Sequence, residues 1–333
     1  MGTVPTAGLH LGPPGAGGAD DGYTEVVIDE IRPESDRVVS VHLRPRTEGG
    51  LPSWTPGSHV DVLLPNGLLR QYSLCSEPGA GTWRLGVLRE ASGRGGSAYI
   101  HEGLRPGDSV RVRSPRNNFE LLPAPEYLFV AGGIGITPLL PMIARAEEEG
   151  IPWRLVYLGR SLASMAFRSE LERYGDKVQL HANDTSGRYP LPELFGTGVG
   201  GFHAYVCGPA TLLDQIASLA GTWDDRTRFH FERFVAAQDP VAVEDEHEFT
   251  VETTGGVEVQ VPVGISILDA LAEAGVPALN SCRGGICGTC ETAVVSGEID
   301  HRDSLLTPEE QDAGDTMMIC VSRCRGSRLV LDV

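Results

Sequence analysis

Three observations predict a multidomain chain in which an antiparallel β-barrel, an α/β domain with a parallel sheet and a small α+β domain follow one another. The 333 residues exceed what one ordinary core organises. The apolar pattern changes along the chain: short alternating stretches broken by Pro and Gly run from Tyr23 to about Arg113, and strand-helix repeats follow from Tyr127 to Val206. Five of the seven cysteines crowd beyond residue 281. An apolar content of 41% supports folded domains, and 23 Pro with 42 Gly suit many turns and short strands.

The formal net charge of -18 argues against nucleic acid or an anionic membrane as partner, because both reward Lys and Arg. A basic face on a partner protein remains compatible. No apolar run reaches the roughly 18 residues of a membrane span, and the first twenty residues lack the basic start and apolar centre of a secretion signal, so a cytoplasmic protein is expected. Residues 1–22, with Gly12-Pro13-Pro14-Gly15, read as a flexible tail. The barrel is assigned to 23–122, the α/β domain to 123–235, an acidic, turn-rich linker to 236–248 and the α+β domain to 249–333.

Within the last domain, Phe249 to Val251 and Val257 to Val261 alternate as a hairpin. Ser266 opens a helix through Ala274, and Thr292 to Val295 returns as a strand. An odd cysteine count in a reducing compartment is a poor disulfide framework and a good metal site. Cys282, Cys287 and Cys290 form C-x4-C-x2-C with Cys320 distant, the spacing of plant-type 2Fe-2S ferredoxins. Gly284, Gly285 and Gly288 allow a tight loop whose N–H groups can face the sulfurs. A structural zinc site is the alternative, but it commonly uses paired C-x2-C knuckles and only one is present. Cys320 is preferred to Cys324 as fourth ligand because it follows the apolar Met317-Met318-Ile319 run. Cys324 and Cys75 read as packing thiols.

In the α/β segment, the strand Tyr127 to Ala131 runs into Gly132-Gly133-Ile134-Gly135-Ile136-Thr137-Pro138 and a helix through Glu149. A strand, a glycine turn and a helix start present free N–H groups and the helix dipole to a phosphate, and Pro138 suits the first helical turn. Strands at Arg154 to Leu158, Val178 to His181 and Ala204 to Val206, with a helix at Ala163 to Tyr174, predict a parallel sheet. Its ligand crevice would lie at the carboxyl ends of the strands, where Gly133, Gly135 and Cys207-Gly208-Pro209 would face each other. Cys207 reads either as a core thiol or as a neighbour of a nicotinamide ring.

In the barrel segment stands Arg70-Gln71-Tyr72-Ser73. An arginine can grip a phosphate, a tyrosine can lie along a flavin ring, and a serine can hydrogen-bond near the flavin's reactive nitrogen. Gly93-Arg94-Gly95-Gly96-Ser97 before a helix at Ala98 to Glu102 offers a second phosphate site. Either motif alone also reads as a plain strand and turn.

In this order, Arg70 to Cys75, Gly93 to Ser97, Gly132 to Pro138, Cys207-Gly208-Pro209, Phe231-Glu232-Arg233-Phe234, the cysteine set and Asp300-His301-Arg302-Asp303 resemble the ferredoxin-reductase superfamily. The resemblance is specifically to the phthalate dioxygenase reductase and vanillate demethylase reductase group, over Tyr23 to Val333. It implies an antiparallel β-barrel flavin domain, an α/β parallel-sheet nucleotide domain and an α+β, β-grasp ferredoxin domain. In that group a C-terminal ferredoxin domain accompanies FMN, whereas relatives with an N-terminal one use FAD. It assigns Arg70 with Gly95, Gly96 and Ser97 to the FMN phosphate, Tyr72 and Ser73 to the ring, and Val87, Leu88 and Arg89 to its rim, with Gln71 also among the cofactor-binding residues. Leu88 departs from an expected lysine. Gly133, Gly135, Ile136, Thr137, Pro138, Arg160, Gly208 and Pro209 fall to the dinucleotide. Ser73, Cys207, Glu232 and Phe234 form the implied catalytic set, with Phe234 over the flavin or, alternatively, a core aromatic.

Nicotinamide gives up two electrons as a hydride and a 2Fe-2S cluster takes one at a time, so the flavin is the converter. Arg160 and Arg168 could serve NADPH, while the resemblance favours NADH. No Rieske ligand set or haem-thiolate region is present, so another protein must receive the electrons. A Rieske-type oxygenase is the leading acceptor and a haem-thiolate monooxygenase the runner-up, served by a monomer. Glu291, Glu298, Asp300, Asp303, Glu309 and Glu310 would suit a basic docking face. A non-catalytic carrier or zinc-stabilised subunit is the reading from another class.

Overall fold

The computed structural model describes residues 22–91, 93, 95–195, 201–220, 228–234, 246–280 and 282–333. The expected tail up to residue 21 and the linker residues 236–245 lie outside the described residues.

Strands β1 (Tyr23–Ser35), β2 (Val38–Pro45), β3 (His59–Leu63), β4 (Leu69–Ser73), β5 (Trp83–Leu88) and β6 (Ser109–Arg113), with helix α1 (Gly96–Glu102), build the first domain. The strands pair antiparallel in the order β4-β3-β6-β1-β2-β5, and a Leu74–Leu85 bridge joins the two edges. Period-2 alternation sends Val60 and Val62 of β3 into a core with Ile28, Leu43, Leu85 and Val112. Each such side chain contributes about 1.5–3 kcal/mol by leaving water. The same alternation turns His59 and Asp61 to the outer face, where they are nevertheless buried.

The second domain contains β7 (Tyr127–Gly132), α2 (Ile136–Glu148), β8 (Trp153–Gly159), α3 (Arg168–Leu171), β9 (Val178–Ala182), α4 (Asn183–Ser186), α5 (Leu191–Phe195), β10 (His203–Cys207), α6 (Ala210–Ala220) and β11 (Phe229–Glu232). Its five strands are parallel, in the order β11-β10-β7-β8-β9. Two apolar clusters, one around Phe129, Tyr157 and Tyr205 and one around Val130, Val156 and Val206, cover the two faces, as a parallel sheet requires.

The continuous helix expected over Ala163 to Tyr174 is corrected. It is split into a 3-10 turn at Leu162–Ser164, the single turn α3, and a 3-10 stretch at Glu172–Lys177. Phe167 causes the break: its backbone is left-handed at φ 59°, and its ring is buried with the Arg84 guanidinium 5.1 Å from its centroid. Anchoring the ring outweighs the roughly 1–2 kcal/mol cost of a left-handed non-glycine residue.

The third domain holds β12 (Phe249–Thr253), β13 (Glu258–Val261), α7 (Ile267–Glu273), β14 (Glu291–Ser296), β15 (Ile299–Asp300), α8 (Pro308–Ala313), β16 (Thr316–Met318), β17 (Arg323–Cys324) and β18 (Arg328–Leu331). A mixed sheet runs β13-β12-β18-β14-β16, with β12 and β18 parallel, and β15 pairs with β17. The Ser266 hydroxyl accepts from the Asp269 N–H at 3.0 Å and starts α7 as expected. Glu246, expected in the linker, is instead bound into this domain: it pairs with Arg302 and accepts from the Gly264 N–H. Among the described residues no helix is long and apolar enough to cross a membrane.

Candidate functional site

A cleft of about 300 Å3 opens where the three domains meet. The barrel supplies Arg70, Gln71, Tyr72 and Ser73 from β4, Leu88 from the end of β5, and Gly96 with Ser97 at the start of α1. The nucleotide domain supplies Ile134 from the turn after β7, Thr137 from the start of α2, and Phe234 just beyond β11. Cys282 and Ile286 of the cysteine loop close the third side.

Three features of the wall suit a bound flavin. The Ser73 Oγ is buried with no hydrogen-bond partner, a cost of about 1–3 kcal/mol that a ligand acceptor in the cleft would relieve. The Arg70 side chain lies directly over Gly96, where a Cβ would meet its Nε at 2.2 Å, so the guanidinium and the α1 N-terminus converge on one end of the cleft. Gly95 precedes α1 with φ 79° and no side-chain cap, so no side chain competes for the helix's first N–H groups. Burial raises the Tyr72 phenol above its ordinary range, keeping it neutral.

Other expected residues are differently employed. Gln71 donates to Asp61 and to the Cys287 carbonyl, both at 3.4 Å, and so ties β4 to the cysteine loop. Ser97 accepts from the Glu90 N–H at 3.1 Å. Val87 points into the barrel core, and Arg89 pairs with Glu102 on the surface, so of the three rim residues only Leu88 lines the cleft. Phe234 is 37% exposed on the cleft wall, not a core aromatic.

The two glycine turns of the nucleotide domain do face each other. A Cβ on Gly135 would stand 2.2 Å from the Cys207 carbonyl oxygen, so the lack of a side chain there is what lets the turns touch. Thr137 Oγ1 donates to the Ile134 carbonyl at 2.9 Å, while Ile136 and Pro138 are buried in the start of α2. Arg160 is exposed just after β8, and Gly208 and Pro209 follow β10, at the carboxyl edge of the sheet. Cys207 lies opposite Glu232 in register, its thiol 4.0 Å from Glu232 Oε2. Burial pushes the Cys207 thiol well up, and burial pushes the Glu232 carboxyl up to about 8. Neither side chain reaches the cleft wall formed by Thr137 and Phe234.

The thiols of Cys282, Cys287, Cys290 and Cys320 come together in the third domain. Cys282 interacts with both Cys287 and Cys320, and Cys290 with Cys320. Cys282 pulls the Cys320 thiol down while Cys290 and burial push it up, to about 12 overall. The Gly284 N–H donates to Cys282 Sγ at 3.3 Å, as expected of a loop with inward N–H groups. The four thiols, linked through Cys282 and Cys320, suit the plant-type 2Fe-2S cluster that their spacing in the sequence matches. Cys324 stands apart, donating to the Arg328 carbonyl at 3.5 Å, and Cys75 donates to the Arg84 carbonyl at 3.2 Å.

The Asp300-His301-Arg302-Asp303 run braces this loop. Asp303 accepts from the N–H groups of Leu305 and Leu306 and from Ser322, and the next residue, Ser304, donates its N–H to the Gly285 carbonyl at 3.0 Å. Asp303 has no exposed side-chain surface, so it cannot join the docking face expected of it; Glu291, Glu298, Glu309 and Glu310 are exposed. Sequence reasoning missed Asp61, Arg116 and Thr289, which link barrel and cysteine loop. Thr289 carried a signal, lying inside the C-x2-C pair, while Asp61 and Arg116 carried none.

A barrel and a parallel nucleotide sheet sharing one cleft with a four-thiol loop at its side define an oxidoreductase of the flavin and iron-sulfur class. Residues 249–325 match the 2Fe-2S iron-sulfur cluster binding domain. The chain is 39% identical over 318 residues to vanillate O-demethylase oxidoreductase of Pseudomonas sp. (strain HR199 / DSM 7063), covering 93% of this chain and 99% of that one. Phthalate dioxygenase reductase, whose solved structure is described as modular for electron transfer from pyridine nucleotides to 2Fe-2S, superposes with TM-score 0.70 at 35% identity over 94% of this chain and 99% of its own. An intact type IV self-sufficient cytochrome P450 monooxygenase superposes with TM-score 0.86 at 39% identity over 93% of this chain; the chain spans only 41% of that protein. The chain belongs to the phthalate dioxygenase reductase and vanillate demethylase reductase group of the ferredoxin-reductase superfamily.

Proposed function

We propose that this chain carries electrons from NADH through FMN in the three-domain cleft and a 2Fe-2S cluster on Cys282, Cys287, Cys290 and Cys320 to a Rieske-type oxygenase. The observation that carries the reading is the cleft itself, whose wall joins Arg70 and Ser73, Thr137 and Phe234, and the cluster cysteine Cys282. When bound, the flavin accepts the nicotinamide's electron pair and the cluster removes electrons singly. Arg70 and the start of α1 would hold one phosphate, Ser73 would hydrogen-bond the ring, and Tyr72 would lie along it. Phe234 covers the approach that nicotinamide must use, and its displacement would admit the ring while excluding water at other times. Cys207 and Glu232 would stand behind the nicotinamide at the sheet edge. The ferredoxin domain following the nucleotide domain favours FMN over FAD.

Anaerobic addition of NADH should bleach both flavin and cluster absorbance. Cys290→Ser should abolish cytochrome c reduction and leave NADH-ferricyanide turnover; equal loss of both would overturn the relay. Release of FMN, not FAD, on acid precipitation tests the flavin.

The fold match to the self-sufficient P450 favours a second reading, in which the acceptor is a haem-thiolate monooxygenase. Reconstituted turnover with each acceptor class decides between them.

A further inference from the structure

Arg116 follows the last barrel strand and is fixed at both ends. Its backbone forms a two-bond bridge with His59, N–H to carbonyl at 3.0 Å and back at 2.9 Å. Its Nη2 lies 3.0 Å from both Oδ1 and Oδ2 of Asp61, whose side chain is wholly buried. Arg113 adds a second positive charge 3.7 Å from the same carboxylate. Burial first, and the Arg116 charge second, hold the His59 imidazole down to about 3, so it stays neutral and adds no repulsion.

The same Nη2 reaches out of the barrel to Thr289 Oγ1 at 3.0 Å, and Thr289 Oγ1 stands 3.2 Å from Cys287 Sγ. As a thiol, Cys287 donates to Thr289 Oγ1. A guanidinium only donates, so the hydroxyl accepts from Arg116, and its single O–H can turn to the sulfur when Cys287 has lost its proton to the cluster. Once Cys287 is a thiolate it accepts, and a donor polarised by a cation is stronger than a lone hydroxyl. Hydrogen bonds to cluster sulfurs favour the reduced, more negative state and so raise the reduction potential.

We propose that Arg116 is a positioning residue for the cluster: anchored by buried Asp61, it orients the Thr289 hydroxyl onto Cys287 and makes the docked ferredoxin domain a better electron acceptor from the flavin. The inference rests on Cys287 being a cluster ligand. It gives a physical role to the contact between barrel and ferredoxin domain beyond proximity, because the donor comes from one domain and the sulfur from the other.

The test is the cluster's midpoint potential in the full-length holoprotein, from an anaerobic titration read by electron paramagnetic resonance, with iron and sulfide contents measured alongside. Arg116→Ala and Thr289→Val should each lower the potential, shifting the electron from cluster toward flavin about tenfold, ~59 mV for a one-electron couple. The double variant should fall no further than either single, and Thr289→Ser should keep the wild-type value. If Arg116→Ala does not fold, Asp61→Asn, which keeps the volume and removes the anchor, should lower the potential in the same direction. Unchanged potentials with full iron and sulfide, or additive shifts in the double variant, overturn the proposal. Wild-type protein without iron and sulfide after reconstitution overturns the cluster assignment itself, a distinct failure.

Discussion

Arg84 of the barrel grips Glu170 of the nucleotide domain with both guanidinium nitrogens, Nη1 to Oε2 at 2.8 Å and Nη2 to Oε1 at 3.2 Å. Its Nε also donates to the Cys75 carbonyl at 3.1 Å, and its face covers Phe167. One side chain thus satisfies a carboxylate, a carbonyl and an aromatic face at a domain boundary.

Arg84→Ala should therefore cost about 2–4 kcal/mol, because it strands the largely buried Glu170 and the Cys75 carbonyl together. Urea melts check this. Arg84→Ala with Glu170→Gln should recover part of the loss, since the uncompensated charge is gone.

Ser73→Ala separates stability from chemistry. The hydroxyl has no partner to lose, so stability should stay within about 0.5 kcal/mol. Flavin reduction by NADH, followed by stopped flow, should slow about tenfold or more, a barrier increase of ~1.4 kcal/mol. A large drop in melting temperature with an unchanged rate would count against the role.

Gly96→Ala places a Cβ against the Arg70 guanidinium and should expel it from the phosphate end of the cleft. Flavin affinity, by fluorescence titration, should weaken about 10- to 100-fold, as in Arg70→Ala. Because both changes remove one interaction, the double variant should be little worse than either.

Glu232 introduces a pH dependence of definite sign. Its carboxyl is raised to about 8, so the folded state binds this proton more tightly than the unfolded chain does. The stability it contributes is complete below about pH 4.5 and is lost as pH rises through about 8. The difference between wild type and Glu232→Gln should shrink across that window, by up to about 1.4 kcal/mol per pH unit. His59, held down to about 3, works the other way: its contribution is present above about pH 6.5 and is lost as pH falls toward 3. Urea melts of the two proteins at about pH 5 and about pH 8 isolate the Glu232 part.

The features legible in the sequence were local ones. Alternation announced the barrel strands, the glycine turn after β7 marked the start of α2, and the apolar Met317-Met318-Ile319 run picked Cys320 over Cys324. The helix expected over Ala163 to Tyr174 failed because tertiary anchoring of Phe167 overrode helix propensity, which no local pattern records. The Asp61–Arg116–Thr289 link was invisible for a related reason. Its members are 55 and 173 residues apart, and while Thr289 stands inside the C-x2-C pair, Asp61 and Arg116 each read singly as an ordinary surface polar residue. Val87 and Leu88 show the limit of a borrowed motif: neighbours on one strand point to opposite sides, so a three-residue rim cannot all face one ligand.

Arg84 and Arg116 both belong to the barrel, and each reaches a different neighbouring domain. Both of these charges that join the units are thus supplied by the barrel. A unit whose parts are joined to one another in this way can be carried as a block, tethered to a catalytic body without recutting the seams between its parts, and a similar arrangement makes up 41% of a self-sufficient cytochrome P450.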